Sequence, residues 1–273
     1  MQRHTVALGH RERGQTAQVW RGGSGSPVVL LHGAWAGARA HWAPVWERLA
    51  ERHTVIAPEL PGFFPGSGEL KSTYADIADW VAEVIDVAQC GPAAVVGNSF
   101  GACIAWHVAL QHAERCRALV LVDGGPPAPL PGWLRWALSS TPLQGLAAAQ
   151  LLKRVFGPSA LSTAFSDPSR APPEVQRALQ SPDPALVKQL LRMFLRSGVP
   201  AGTPPQPTTI VWGADDRLPQ SDVTAARALQ ARLHGARLEV IEKAGHLPQA
   251  EQPERFAELL LRVIEHDQPS RAT

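Results

Sequence analysis

Three short stretches hold the residue types that acyl transfer needs. Residues 97–101, Gly97-Asn98-Ser99-Phe100-Gly101, set one serine between two glycines at the end of the β-branched run "AAVVGNS" (93–99). That G-x-S-x-G spacing suits a sharp strand-to-helix turn, where larger side chains two residues away would collide with strand and helix. Such a turn either carries a small residue for geometry alone or lifts a nucleophile to where a substrate can reach it. A serine hydroxyl attacks well only when a base takes its proton and a carboxylate orients that base. Both partners follow later in the chain. "IVWGADDRLP" (210–219) sets Asp215 and Asp216 just past an apolar run, and "VIEKAGHLPQAEQP" (240–253) sets His246 in a Gly-His turn past another.

Positioning these groups falls to a series of short apolar runs: "PVVLLHG" (27–33), "HTVIAPEL" (53–60), 93–99, "ALVLVDGG" (118–125), "TTIVWG" (208–213) and "LEVIEKAGH" (238–246). They do not alternate apolar with polar, so both faces are expected to be covered, as in a parallel sheet beneath helices. Between them lie helical patterns. In 73–89 the apolar residues Tyr74, Ile77, Val81, Ile85 and Ala88 recur at helical spacing behind a Thr73/Asp76 capping box. Residues 221–234 and 254–265 give two more helices, the last with Pro253 in its first turn. "FGACIAWHVAL" after Ser99 is apolar nearly all round and reads as a buried helix whose start points N–H groups toward the serine. Trp42, Trp46, Trp80 and Trp106 fit helix periodicity and read as core.

Alternating strands and helices predict a doubly wound, mostly parallel α/β sheet. Ser99, the Asp215/Asp216 pair and His246 each follow a strand, which gathers them at the sheet edge where such folds bind ligands. The rhythm breaks from 126 to 204, which holds Pro-rich joints and helical pieces such as 142–156 and 184–197 but no convincing strand. The expected organisation is a core of 1–125 and 205–273 with a helical cap inserted at 126–204. Trp35, Trp133, Trp136 and Phe194 are candidates to line a substrate pocket.

Composition narrows the function classes. The chain has 273 residues, 45% of them hydrophobic, enough for a sizeable core, and a formal net charge of +2 with no basic run. That argues against nucleic acid and anionic membrane surfaces as partners. Cys90, Cys103 and Cys116 lack metal or redox spacing and read as free thiols in a reducing compartment. No apolar stretch approaches a membrane span, and "MQRHTVALGH" is too polar for a secretory leader, so a cytoplasmic location is expected. Nothing in the spacing calls for a metal or a cofactor, and nothing speaks to oligomeric state.

"LLHG" (30–33), "GNSFG" (97–101), "WGADD" (212–216) and "AGH" (244–246) together, in that order and at those intervals, make the chain resemble the α/β-hydrolase superfamily over essentially its whole length. The resemblance implies Asp216 as the acid, with Asp123 the alternative at the end of the preceding strand and Asp215 a solvated neighbour. It implies an oxyanion hole from the backbone N–H groups of Ala34 and Phe100. "PELPGFFPGSG" (58–68) departs from the family's D-L-P-G loop, with Glu59 where Asp is usual, and suggests an altered rim. His32 reads as a brace for its loop, and His41, His107, His112 and His234 as surface or core histidines.

A serine at the elbow excludes relatives that use a carboxylate nucleophile there. The expected activity is hydrolysis of a carboxylic ester, thioester or lactone of a small to medium, largely apolar molecule. Activity should rise as His246 loses its proton. "GNSFG" also resembles the C–C bond hydrolases of ring-cleavage pathways, although those carry Trp after the histidine where this chain has Leu247. A non-catalytic ligand receptor on the same fold is a third reading.

Overall fold

The computed structural model describes residues 1–8, 16–63, 67–126, 159–197, 200–219 and 221–266, with isolated positions between 136 and 150. Eight strands form one sheet: β1 (Gln2–Ala7), β2 (Thr16–Gly22), β3 (Pro27–Leu31), β4 (Thr54–Pro58), β5 (Ala93–Asn98), β6 (Cys116–Val122), β7 (Thr208–Gly213) and β8 (Arg237–Ile241). Their order is β1-β2-β4-β3-β5-β6-β7-β8. β1 and β2 run antiparallel, as do β2 and β4, and every pairing from β4 through β8 is parallel.

Both faces of the parallel part are dry, and the strand pleat explains how. In β3, Val28 and Leu30 face one layer and Val29 and Leu31 the other. The first layer is closed by α1 (Ala38–Ala50) and the C-terminal helix (Pro253–His266), through Trp42, Leu49, Phe256 and Leu260. The second is closed by α2 (Tyr74–Val87) and α3 (Phe100–Gln111), through Ile77, Val81, Ile104 and Trp106. All four tryptophans expected in the core are buried. α2 begins on the expected capping box: Asp76 N donates to Thr73 Oγ1 at 3.1 Å and Thr73 N to Asp76 Oδ2 at 2.9 Å.

Between β6 and β7 the described residues are helical: α4 (Ala160–Ala164), α5 (Pro173–Gln180) and α6 (Pro184–Ser197). After β7 come α7 (Val223–Arg232), α8 (Pro248–Glu251) and the C-terminal helix, α9. Trp133 and most of the helix expected at 142–156 lie outside the described residues. A third apolar cluster joins α4 and α5 to the loops at the carboxyl ends of the strands, through Trp35, Phe165, Val175, Leu179, Leu218 and Leu247.

The β1–β2 hairpin was not among the expected strands. Its signal is the other strand pattern: in β2, Ala17 and Val19 point inward while Gln18 and Trp20 stay half-exposed, and β1 is largely exposed. A search for continuous apolar runs passes over such an edge.

Candidate active site

Ser99 sits at the junction of β5 and α3 with φ 54° and ψ −113°, a conformation costing a non-glycine residue roughly 1–3 kcal/mol. The glycines beside it make that turn possible. A Cβ on Gly97 would lie 2.1 Å from Gly101 O, and one on Gly101 would lie 2.2 Å from Leu31 O. Gly124, past the end of β6, is equally constrained: its Cβ would fall 2.6 Å from Ser99 O.

His246 Nε2 lies 2.8 Å from Ser99 Oγ, and His246 Nδ1 lies 2.6 Å from Asp216 Oδ2. With Nδ1–H donated to the carboxylate, Nε2 is left to accept the serine proton. Asp216 is buried and held from three sides: Leu218 N donates to Oδ1 at 3.0 Å, and Ser221 Oγ donates to Oδ2 at 2.6 Å beside the imidazole. Residues from three separate strand ends therefore meet in one hydrogen-bonded line.

Their loops are tied to one another. Asn98 Nδ2 donates to Val122 O at 3.2 Å and to His246 O at 3.1 Å, joining the serine turn to the histidine turn. His246 N donates to Ala164 O at 2.7 Å, at the end of α4. The buried Glu251 carboxylate accepts from Gly245 N at 2.6 Å and from Asp167 N at 2.8 Å, while Arg170 reaches Glu251 O at 2.7 Å. Desolvation pushes the Glu251 carboxyl above the usual carboxylate range. Asn98 and Glu251 were not singled out in the sequence. Neither carried a distinguishing signal: Asn98 is the unrestricted position of the G-x-S-x-G turn, and Glu251 lies among Gln249, Gln252 and Glu254.

The Gly33–Ala34 turn lies against the serine, for a Cβ on Gly33 would come 3.4 Å from Ser99 Cβ. His32 braces that turn. Leu60 N donates to His32 Nε2 at 2.9 Å, which fixes Nδ1 as the donor to Gly33 O at 2.7 Å, and desolvation lowers the ring's pKa. Phe100 opens α3, so its N–H belongs to the first turn, where helix donors have no intrahelical acceptor. Trp35 is buried with its ring 5.0 Å from His246. Phe194 is half-buried against the α2–α3 layer, and Trp136 is exposed.

Three details differ from expectation or extend it. Asp215 is not a solvated bystander: it is half-buried, and its Oδ2 accepts from Ser166 Oγ at 2.7 Å because the residues after α4 come down onto it. His41 lies closer to the site than its place in a helix suggested. It is buried behind the Gly33 turn, 5.7 Å from His32, and desolvation pulls its pKa down to about 3. Glu59 ties two elements together: Oε2 accepts from Ala38 N at the start of α1, and Oε1 accepts from Trp20 Nε1, both at 2.8 Å. Gly37, the N-cap of α1, supplies no side-chain cap of its own.

A cavity of about 460 Å³ opens beside Ser99 and His246, walled by Gly125, Trp212, Leu229 and Ala228, with Arg232 among its lining residues. A larger cavity of about 760 Å³ lies by Trp20, Arg39 and Phe63 and includes none of Ser99, Asp216 and His246. Asp123, Asp216 and His246 bring one ligand-type atom each within 4.8 Å of one another. Backbone and hydroxyl donors already point at both carboxylates, and no cation is needed to explain Asp216.

Residues 28–259 match the family model described as "Alpha/beta hydrolase family". The chain is 29% identical over 245 residues to the pimeloyl-acyl-carrier-protein methyl ester esterase of Nitrosomonas europaea, covering 86% of this chain and 94% of that relative. It is 28% identical over 256 residues to a 2-hydroxymuconate semialdehyde hydrolase of Pseudomonas putida, covering 87% and 86%. Among solved structures it superposes on a thermophilic esterase from Thermogutta terrifontis with a TM-score of 0.75 at 21% identity, over 98% of this chain and 100% of that one. That last likeness is one of fold.

Proposed function

The chain belongs to the alpha/beta hydrolase family, and from that premise we propose that it is a serine esterase acting through Ser99, His246 and Asp216 on a small to medium, largely apolar carboxylic ester. The observation that carries this reading is the continuous line from Ser99 Oγ to His246 Nε2, and from His246 Nδ1 to Asp216 Oδ2, at 2.8 and 2.6 Å.

Ser99 Oγ attacks the ester carbonyl carbon as its proton passes to His246 Nε2. Asp216 keeps the ring in the tautomer that can accept it and faces the positive charge that forms. The alkoxide forms in the space between the Ala34 and Phe100 N–H groups, and each such donor contributes about 10²–10³ in rate. The imidazolium then returns its proton to the leaving alcohol. Water enters, His246 takes a proton from it, and attack on the acyl-enzyme frees the acid and restores Ser99. We read residues 126–204 as a cap over this edge of the sheet, with Trp133, Trp136 and Phe194 as its contribution to substrate contact and Trp35 contributing from the loop after β3. The cavity walls supported by Gly125, Leu229 and Ala228 favour an apolar acyl or alcohol group.

A C–C bond hydrolase is the second reading, favoured by the likeness to the Pseudomonas putida enzyme. Against it, the residue after His246 is Leu247, buried in the apolar cluster that joins α4 and α5 to the site. A fluorophosphonate probe and a series of chromogenic esters, run beside one ring-cleavage dienoate, test both. We expect the probe to label wild type but not Ser99→Ala, and ester turnover in that variant to fall by about 10⁴–10⁶. Ester turnover above a tenth of wild type in Ser99→Ala would overturn the assignment. Faster turnover of the dienoate than of any ester would replace it with the second reading.

A further inference from the structure

Asp123 follows β6 and has no part in the line just described, yet one of its carboxylate oxygens lies within 4.8 Å of one on that line's acid. It is buried, it has a left-handed backbone (φ 41°), and its N–H donates to Val211 O at 3.0 Å. Oδ1 accepts from Gly213 N at 2.9 Å. Oδ2 is buried and finds no hydrogen-bond donor among the described residues. A buried carboxylate oxygen with no donor is costly, and a second carboxylate at hydrogen-bonding range makes it more so. Asp216 is that neighbour, and Glu251 adds a weaker repulsion from the side of α8. Adding a proton resolves both problems at once. A protonated Asp123 turns its orphaned acceptor into a donor, and the group available to receive it is Asp216. Desolvation, with the Asp216 charge second, holds the Asp123 carboxyl well above the usual range.

We propose that Asp123 and Asp216 form an acid pair that shares a single proton, Asp123 holding it and donating it to Asp216, so that two residues can carry the one negative charge that faces His246. The inference rests on the reading of Asp216 and His246 given under the proposed function. Asp123 acts through Asp216 and is a positioning residue. The titratable groups facing it are Asp216, His246 and Glu251, with the Ser221 hydroxyl filling the remaining side of Asp216. No proton leaves the pair during turnover; its net charge stays at one negative throughout.

Asparagine is the near-isostere of a neutral, donating Asp123, and this makes the test sharp. Asp123→Asn should cost less than tenfold in kcat/KM and leave the acidic limb of the pH profile within 0.3 unit of wild type. Were Asp123 ionised instead, removing a charge within 4.8 Å of the imidazole would move that limb down by more than half a unit, and the proposal would fail. Asp216→Asn removes the second of the two causes that hold the proton on Asp123, and with the imidazolium then the only opposite charge to face, Asp123 should ionise and take over as counter-charge. That variant should therefore retain at least tenfold more activity than Asp123→Asn/Asp216→Asn. Equal activity in single and double variants overturns the proposal.

Should Asp123→Asn fail to fold, infrared absorption at pH 7 in the protonated-carboxyl region still decides. The band should be present in wild type and persist in Glu251→Gln; its absence from wild type, or its loss in Glu251→Gln, overturns the proposal. Failure of the triad reading looks different: Ser99→Ala or His246→Ala would then keep ester turnover, whatever Asp123 does.

Discussion

Asn98 and Glu251 show how much of a catalytic line is held by side chains outside it. In the proposed reaction the serine attacks and the histidine carries the proton, and the separation of 2.8 Å between them depends on the two turns staying in register. Asn98 fixes that register from one side and Glu251 from the other. In Glu251→Gln one of the two backbone donors, Gly245 N or Asp167 N, meets an amide NH₂ in place of an acceptor. We expect a loss of about 1–3 kcal/mol in stability for the broken buried bond. The misaligned imidazole should cost about 10–100-fold in kcat. Thermal melts and ester kinetics on the one variant check both, and unchanged kcat would show that the histidine turn stands without this tie. At this scale the sequence was most informative where chemistry dictates residue type. That Ser99, Asp216 and His246 meet could be anticipated from motif, order and resemblance, because few residue types suit such a line. Asn98 and Glu251 could not, because many side chains can tie two loops together and only packing selects among them.

Strands and helices set where these turns lie. Parallel strands were legible as continuous Val, Ile and Leu runs because both faces are dry, whereas the β1–β2 edge obeys the alternating pattern of a half-wet surface. α2 could be placed almost to the residue from its capping box, and α6 (Pro184–Ser197) agrees with the helical piece expected at 184–197. Glycine contacts between elements were not legible, since nothing in a sequence says which backbone will approach. Gly245 is the informative case. A Cβ there would lie 2.3 Å from Ala164 O and 2.9 Å from Phe165 Cα, both backbone atoms of the segment that docks on the histidine turn. Gly245→Ala should therefore separate α4 from His246 and lower ester turnover by at least about tenfold, on the scale of a misplaced catalytic group. Far-ultraviolet circular dichroism should stay close to wild type, because the sheet itself is untouched. Wild-type turnover in this variant would mean that the two segments part at no cost.

Taken as one body, the protein keeps several imidazoles out of water: His32, His41 and His107 are buried and their pKa values are lowered by desolvation, that of His41 to about 3. The unfolded chain protonates such rings near the ordinary value of about 6.5, so between that pH and the folded value it binds protons the native state refuses. Stability from these groups is complete above about pH 6.5 and is lost as pH falls, at about 1.4 kcal/mol per pH unit for each ring fully in its window. Asp123 works in the other direction. Its raised carboxyl keeps a proton in the folded state that the unfolded chain releases, so it weakens the fold as pH rises above the ordinary carboxylate range. Glu251, raised in the same way, adds to this, and the three rings outweigh the two carboxyls. The melting temperature should drop from pH 6.5 to 4.5, and His41→Gln should show a shallower drop by about one proton's worth; identical slopes would refute that account. The three cysteines are free and buried, and burial pushes the Cys116 thiol up to about 12. Among the described residues no helix is long and apolar enough to cross a membrane.

The docking of residues 160–170 onto the histidine and aspartate turns bears on how this chain can be recombined with its relatives. Ala164, Ser166 and Asp167 come before β7 in sequence but belong, by their bonds, to the apparatus around His246. A chimera that exchanges everything between the two flanking strands trades away those supports along with whatever sets preference. One whose crossover falls just before α4 keeps the native seat for the imidazole, and grafts made at that seam should inherit new tastes without losing the old engine.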